Sequence, residues 1–183
     1  TSTQPALGCL PTVAALDKLF SAKNRSAEMP VSLGVANLSQ AATLVEIPEY
    51  LEEFLASFPE GAITVILAAL NPLDSRLGGE KIAIRVVSHP TAKALLQQVG
   101  PLTATSANVS GEMPYSNCED SAIALSRGEE DIAFIAGICP NGTPSTLISW
   151  HSACDSPACP DIDILREGLV KKLEIQAWLK NRI

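Results

Sequence analysis

Residues 82–111, IAIRVVSHPTAKALLQQVGPLTATSANVSG, constrain the fold more than any other stretch. Residues 82–87 form a short apolar run with one charge inside it, Arg85. Pro90 stands where a helix begins, because its fixed φ suits the first helical turn. Leu95, Leu96 and Val99 follow at helical spacing, and Gly100-Pro101 ends the segment. Residues 102–105 suit a short strand, and Thr105-Ser106-Ala107-Asn108 sets hydroxyls and an amide at its end. In open α/β sheets, ligands gather at strand ends. Short polar side chains in such a turn either bond their own backbone or hold an anion. A cation embedded in a strand needs a partner, since burying it alone is costly. Arg85 is therefore a candidate anion ligand.

The chain has 183 residues, which suits one domain over 1–183, and 46% of them are hydrophobic, enough for a sizeable core. No apolar run reaches the roughly 18 residues of a membrane span. The start, Thr1-Ser2-Thr3, lacks a signal-peptide pattern and an initiator Met, so the chain reads as trimmed. A net charge of −7 argues against nucleic-acid binding over the whole surface, though not against a local basic cleft. The five cysteines are an odd number without a CxxC, which fits a reducing compartment. With His89 and His151 the only histidines, no His-rich metal site is available.

Elsewhere the patterns predict a helix over 12–21, capped by Thr12, with Val13, Leu16, Leu19 and Phe20 as its apolar stripe. Lys23 and Arg25 follow it. Two cations there are favourable by the macrodipole alone, at about 0.3–1 kcal/mol each; the sharper reading makes them phosphate ligands. A strand is predicted over 31–35, a short helix capped by Ser39 and ending at Leu44, and a helix over 49–58 opened by Pro48. A buried strand over 63–67 and an exposed loop over 71–81 come next. Beyond the opening stretch, a helix runs to about Leu125, strands cover 132–135, 145–150 and 162–165, and a last helix covers 170–183. The sum is a twisted mixed sheet with flanking helices, an α/β fold.

No Gly-x-Ser-x-Gly elbow, Walker loop or GxGxxG is present. Cys154, Cys159, His151 and Asp155 match no common zinc spacing, and read as a solvated loop with free thiols. Glu129-Glu130-Asp131 reads as a solvated acidic turn. No metal site is predicted. What remains is a set of cations and hydroxyls near strand ends: Lys23, Arg25, Thr64, Arg85, Ser106, Asn108, Ser145 and Arg166. Together they are the polar inventory of a nucleoside triphosphate site, where cations neutralise phosphates and hydroxyls orient them.

At these residues the sequence resembles the YrdC/YciO-type threonylcarbamoyl-AMP synthases, over nearly the whole chain. Leu19-Phe20-Ser21-Ala22-Lys23-Asn24-Arg25 resembles the family's helix ending in Lys-x-Arg. Residues 83–111 resemble its longest signature: an Arg-Val strand, a His-Pro helix start, and Ser-x-Asn before Ser-Gly. Gly142-Thr143-Pro144-Ser145-Thr146 resembles its Gly-x-x-Ser-Thr strand start, and Leu165-Arg166-Glu167-Gly168 its closing Leu-Arg-x-Gly. Thr64 matches the Thr of a Pro-Gly-Pro-Leu-Thr motif. The opening Pro-Thr-(Glu/Asp)-Thr-x-Tyr-Gly-Leu is altered, with Ser2, Pro5 and Ala6 at its acidic, Tyr and Gly positions, and the strand expected before it is absent. A His common near the threonine site falls about at Gly34.

The resemblance implies a twisted mixed sheet with helices around a concave, positively lined cavity. It implies that L-threonine, bicarbonate and ATP, with Mg2+ on the phosphates, give threonylcarbamoyl-AMP and pyrophosphate. A cytoplasmic tRNA-modifying partner complex then modifies adenosine 37 of tRNA. By the same resemblance Lys23, Arg25, Ser106, Asn108, Ser145 and Arg166 hold ATP, with Lys23 and Arg25 catalytic, and Thr3, Thr64 and Arg85 lie near threonine. The alternative from another class is a double-stranded RNA-binding or ribosome-maturation protein of the same fold, with little or no synthase activity.

Overall fold

The structure is a computed structural model describing residues 3–126, 132–151 and 161–181. Its elements in chain order are β1 (Ala6–Leu7), α1 (Val13–Lys23), β2 (Leu33–Val35), α2 (Leu38–Ala41), α3 (Leu51–Ala56) and β3 (Ile63–Ala68). A 3-10 turn (Ser75–Leu77) leads to β4 (Lys81–Val86), α4 (Pro90–Val99), β5 (Leu102–Thr103), β6 (Thr105–Ser106) and α5 (Cys118–Ser126). β7 (Thr146–His151), β8 (Asp161–Arg166) and α6 (Lys172–Lys180) complete the chain. Six strands form one mixed sheet in the order β5-β2-β4-β3-β7-β8, and β1 pairs with β6 in a separate antiparallel ribbon. The expected α/β fold, a mixed sheet with flanking helices, is the observed one. No helix among the described residues is long and apolar enough to cross a membrane.

Side-chain alternation on the central strands assigns the two faces of the sheet. Ile63, Val65 and Leu67 of β3, Ile82 and Ile84 of β4 and Ile148 of β7 are buried in one core with Leu16, Leu51 and Phe54. Burying each such side chain contributes about 1.5–3 kcal/mol. Phe54 sits at the centre of an aromatic group, with edge contacts to Trp178, Phe58 and Trp150 at centroid distances of 4.9, 5.1 and 5.4 Å. Thr64, Ala83, Arg85 and Leu147 turn to the opposite face. Thr64 lies beside Leu147 in the parallel β3–β7 pair, and Arg85 beside Gly34 in the parallel β2–β4 pair.

Several local expectations change. Thr12 precedes α1 without a side-chain cap bond, and the helix closes at Asn24, whose left-handed φ of 48° turns the chain outward. Asn37, not Ser39, caps α2, because its side chain accepts the Gln40 N–H at 2.8 Å. The 71–81 loop is anchored rather than free: Leu77 is buried, and Arg76 donates to both Asp74 and Asp17. Residues 3–9, for which no pattern predicts an element, contain β1. Residues 132–135 form no strand; the pairing nearest them is a single bridge between Asn117 and Ile138, so the apolar run has no ladder to join. α6 starts only at Lys172, because Val170 is taken up as a buried anchor. Glu129-Glu130-Asp131 and the loop with Cys154, Asp155 and Cys159 lie outside the described residues.

Candidate anion site

On the face of the sheet opposite the core lies a cavity of about 270 Å³. Thr64 and Arg85 reach it from β3 and β4, Ser106 from β6, Ser145 from the approach to β7, and Arg166 from the end of β8. Arg25 enters from beyond α1, and Thr3 from the N-terminal segment. Seven of the nine residues singled out in the sequence therefore meet at one cavity, from separate places in the chain. Thr105, from the same polar turn as Ser106, lines it too, as do Gln4 and Ser32, which carried no local signal. Ser32 donates to Ala104 O at 2.9 Å, and Ala104 N returns a bond to Ser32 O at 2.7 Å, which seats β6 over the sheet.

The three guanidinium groups are aimed by main-chain carbonyls. Arg25 donates to Met29 O at 2.7 Å and Pro30 O at 3.0 Å, Arg85 to Gly61 O at 2.9 Å, and Arg166 to Ser145 O at 3.0 Å. A guanidinium carries five donors, so each keeps others for a ligand. Among the described residues that line the cavity there is no carboxylate. Carbonyl partners fix direction without cancelling charge, and the site stays positive in a chain of net charge −7. Burial holds the Arg25 and Arg85 pKa values below the ordinary arginine value, and the like charge of Arg166 pushes Arg85 further the same way. An incoming anion relieves both penalties.

Gly61 holds one of these supports. Its φ of 76° is left-handed, and a Cβ there would lie 2.9 Å from Ser88 Oγ. Only glycine presents the carbonyl to Arg85 in this way. Thr64 Oγ1 and Ser145 Oγ share a hydrogen bond of 2.7 Å, which ties β3 to the start of β7 inside the cavity. Arg166 follows a bulge: Ile148 opposes Ile164 and Leu147 opposes Arg166, leaving Leu165 as the extra residue. A bulge of this kind re-aims the side chain beside it.

Lys23 and Asn108 stand behind the wall. Lys23 is 1% exposed, and its ammonium donates to Ser106 O at 2.5 Å and Asn108 O at 2.6 Å. Lys23 O also accepts from Ser110 N at 2.8 Å. Asn108 donates through its amide to Val109 O and Glu112 O, both at 2.8 Å. Both residues thus shape the turn that presents Ser106. Burial, and then the neighbouring Arg25 charge, pull the Lys23 pKa down to about 8. A larger cavity, about 510 Å³, lies between α1, α4 and α5. It is lined mainly by apolar residues and contains none of the nine. Gly34, the position of the expected His, faces that cavity instead.

A family model described as "Telomere recombination", that of Sua5, YciO and YrdC proteins, matches residues 1–168. The chain belongs to the Sua5/YciO/YrdC family. The threonylcarbamoyl-AMP synthase of Bacillus subtilis (strain 168) is 34% identical over 171 residues, which cover 89% of this chain and 46% of that protein. Among solved structures, P. abyssi Sua5 complexed with L-threonine superposes with a TM-score of 0.78 at 26% identity, covering 100% of this chain and 53% of that one. E. coli YciO shares the fold, with a TM-score of 0.71 at 23% identity over 93% of this chain and 82% of its own. The chain thus spans about half the length of the B. subtilis and P. abyssi relatives.

Proposed function

We propose that this domain forms L-threonylcarbamoyladenylate from L-threonine, bicarbonate and ATP, with release of pyrophosphate. One observation carries the reading: three guanidinium groups, aimed by main-chain carbonyls, face a cavity whose lining, among the described residues, includes no carboxylate. The likeness to a protein named threonylcarbamoyl-AMP synthase, and to a Sua5 complexed with L-threonine, supports it. The arginines line a concave cavity rather than an open surface, which favours a small polyanion over duplex RNA.

In this reading Arg25, Ser106, Ser145 and Arg166 hold the ATP phosphates, and Thr3, Thr64 and Arg85 lie beside threonine. Lys23 and Asn108 support the nucleotide through the turn that carries Ser106. The threonine amine condenses with bicarbonate to a carbamate, releasing water. A carbamate oxygen then attacks the α-phosphorus, and the bond to the β-phosphate oxygen breaks to release pyrophosphate. No protein nucleophile is required. The arginines balance the charge that develops on the leaving pyrophosphate, and fixed geometry supplies the remainder. In this reading Mg2+ arrives on the ATP phosphates as part of the substrate. A cytoplasmic partner complex then transfers the threonylcarbamoyl group to tRNA.

The test is pyrophosphate release from ATP and bicarbonate, with and without L-threonine, and with L-serine for comparison. Release that depends on L-threonine is expected. ATP binding without threonine-dependent release would overturn the reading.

A further inference from the structure

Thr146 does not line the cavity and is 0% exposed, and its hydroxyl bonds a corner of chain beside two residues that do line it. Thr146 Oγ1 donates to Val170 O at 2.6 Å and accepts from Gly168 N and Val170 N, both at 3.0 Å. A threonine hydroxyl has one donor and two acceptor positions, and all are used on one corner of chain, residues 168–170. Two residues before that corner is Arg166; one residue before Thr146 is Ser145. Leu169 N closes the same junction onto Pro144 O at 2.9 Å, and Arg166 onto Ser145 O at 3.0 Å. The fit leaves no slack: a Cβ on Gly168 would lie 2.3 Å from Pro144 O and 2.7 Å from Ser145 O.

We propose that Thr146 is a positioning residue of the anion cavity, whose hydroxyl holds Arg166 and Ser145 in register with one another. The β7–β8 ladder is interrupted by a bulge just before Arg166, which leaves the Leu147–Arg166 pair at its end to be held from beyond the strand. The corner after it supplies that hold. Without the hydroxyl, Gly168 N, Val170 N and Val170 O are buried without partners. Such groups draw the chain toward water, and the corner moves with Arg166 at its end. The proposal rests only on the anion-binding part of the reading above, so inorganic pyrophosphate serves as the probe beside ATP.

The experiment compares the full chain with Thr146→Val, which keeps the shape, and Thr146→Ser, which keeps the hydroxyl. Binding of pyrophosphate and of ATP is measured by calorimetry, and exchange of the Gly168 and Val170 amides by mass spectrometry. Thr146→Val is expected to weaken binding of both ligands about tenfold, equivalent to about 1.4 kcal/mol, and to open the corner to exchange. Thr146→Ser is expected to bind within about twofold of the unsubstituted chain, a rescue that packing alone does not give. Unchanged binding by Thr146→Val, or equal loss in Thr146→Ser, would overturn the proposal. If Thr146→Val does not fold, Gly168→Ala decides, since it displaces the same corner from the other side; it is expected to lose affinity, and normal affinity overturns the proposal. An unsubstituted chain that binds pyrophosphate but not ATP defeats the synthase reading and leaves this one standing. Binding of neither defeats both.

Discussion

The two faces of the central sheet are held by opposite means. On one, Ile63, Val65, Ile82, Ile84 and Ile148 pack against Leu51 and Phe54, and stability comes from excluding water. On the other, Arg25, Arg85 and Arg166 surround a cavity with no carboxylate among its described lining residues. That face is held by hydrogen bonds such as Thr64–Ser145, and its like charges add repulsion. Alternate residues of the same strands serve both faces, so the core anchors the backbone that keeps like charges close together. Proteins commonly place such strain at functional sites and offset it elsewhere.

The comparison breaks most sharply at the aromatic centre. Phe54 is 0% exposed and touches Phe58, Trp150 and Trp178. Phe54→Ala is expected to cost about 3–5 kcal/mol of stability in urea denaturation. ATP affinity of the fraction that stays folded should not change, because no atom of this cluster lines the cavity. A loss of affinity at constant folded fraction would show that the faces are not separable. The opposite pattern is expected at Arg85. Arg85→Ala should slow threonine-dependent pyrophosphate release about 100-fold, the usual cost of deleting one preorganised charge donor. Its unfolding midpoint should hold or rise, since the substitution removes a cation facing Arg166. A fall in both activity and stability would mean that Arg85 holds the sheet together rather than a ligand.

The two faces also differ in how far the sequence reveals them. The core side is written in alternation and helical spacing: β3, β4 and α1 lie close to where periodicity predicts them, and Pro90 begins α4. Those signals are local, because each strand must present its own apolar face. Residues 132–135 show where that logic fails. Their composition suits a strand, but Phe134 is 47% and Ile135 52% exposed, and no ladder receives them. The cavity is a matter of topology. Arg25 and Arg166 are brought together by strands paired across the whole sheet, and nothing in either segment alone announces it. Gln4 and Ser32 escaped notice for the same reason: a single polar residue carries chemistry only by its neighbours. The resemblance to a family supplied what local pattern lacked.

Lys23 ends α1, and the sequence offered it two roles, helix-end cation or phosphate ligand. Its ammonium donates to carbonyls 83 and 85 residues away, inside the turn behind Ser106. This arrangement leaves a pH signature of definite sign. Burial lowers the folded pKa from 10.5 to about 8, so between those values the unfolded chain binds more protons than the folded one. Stability then rises with pH across that window. The penalty for the buried charge is fully present below about pH 8 and is relieved as pH climbs toward 10.5. Lys23→Met removes the titration, so the difference in stability between unsubstituted and Lys23→Met protein should shift toward the unsubstituted chain from pH 8 to 10. Denaturation of both at several pH values measures it. At pH 7 the net change should be small, because the variant loses two hydrogen bonds but no longer buries a cation. A difference that stays flat with pH would mean that Lys23 is solvated in the folded protein and free to reach a ligand directly. A rising difference would make it the strut of the turn that carries Ser106.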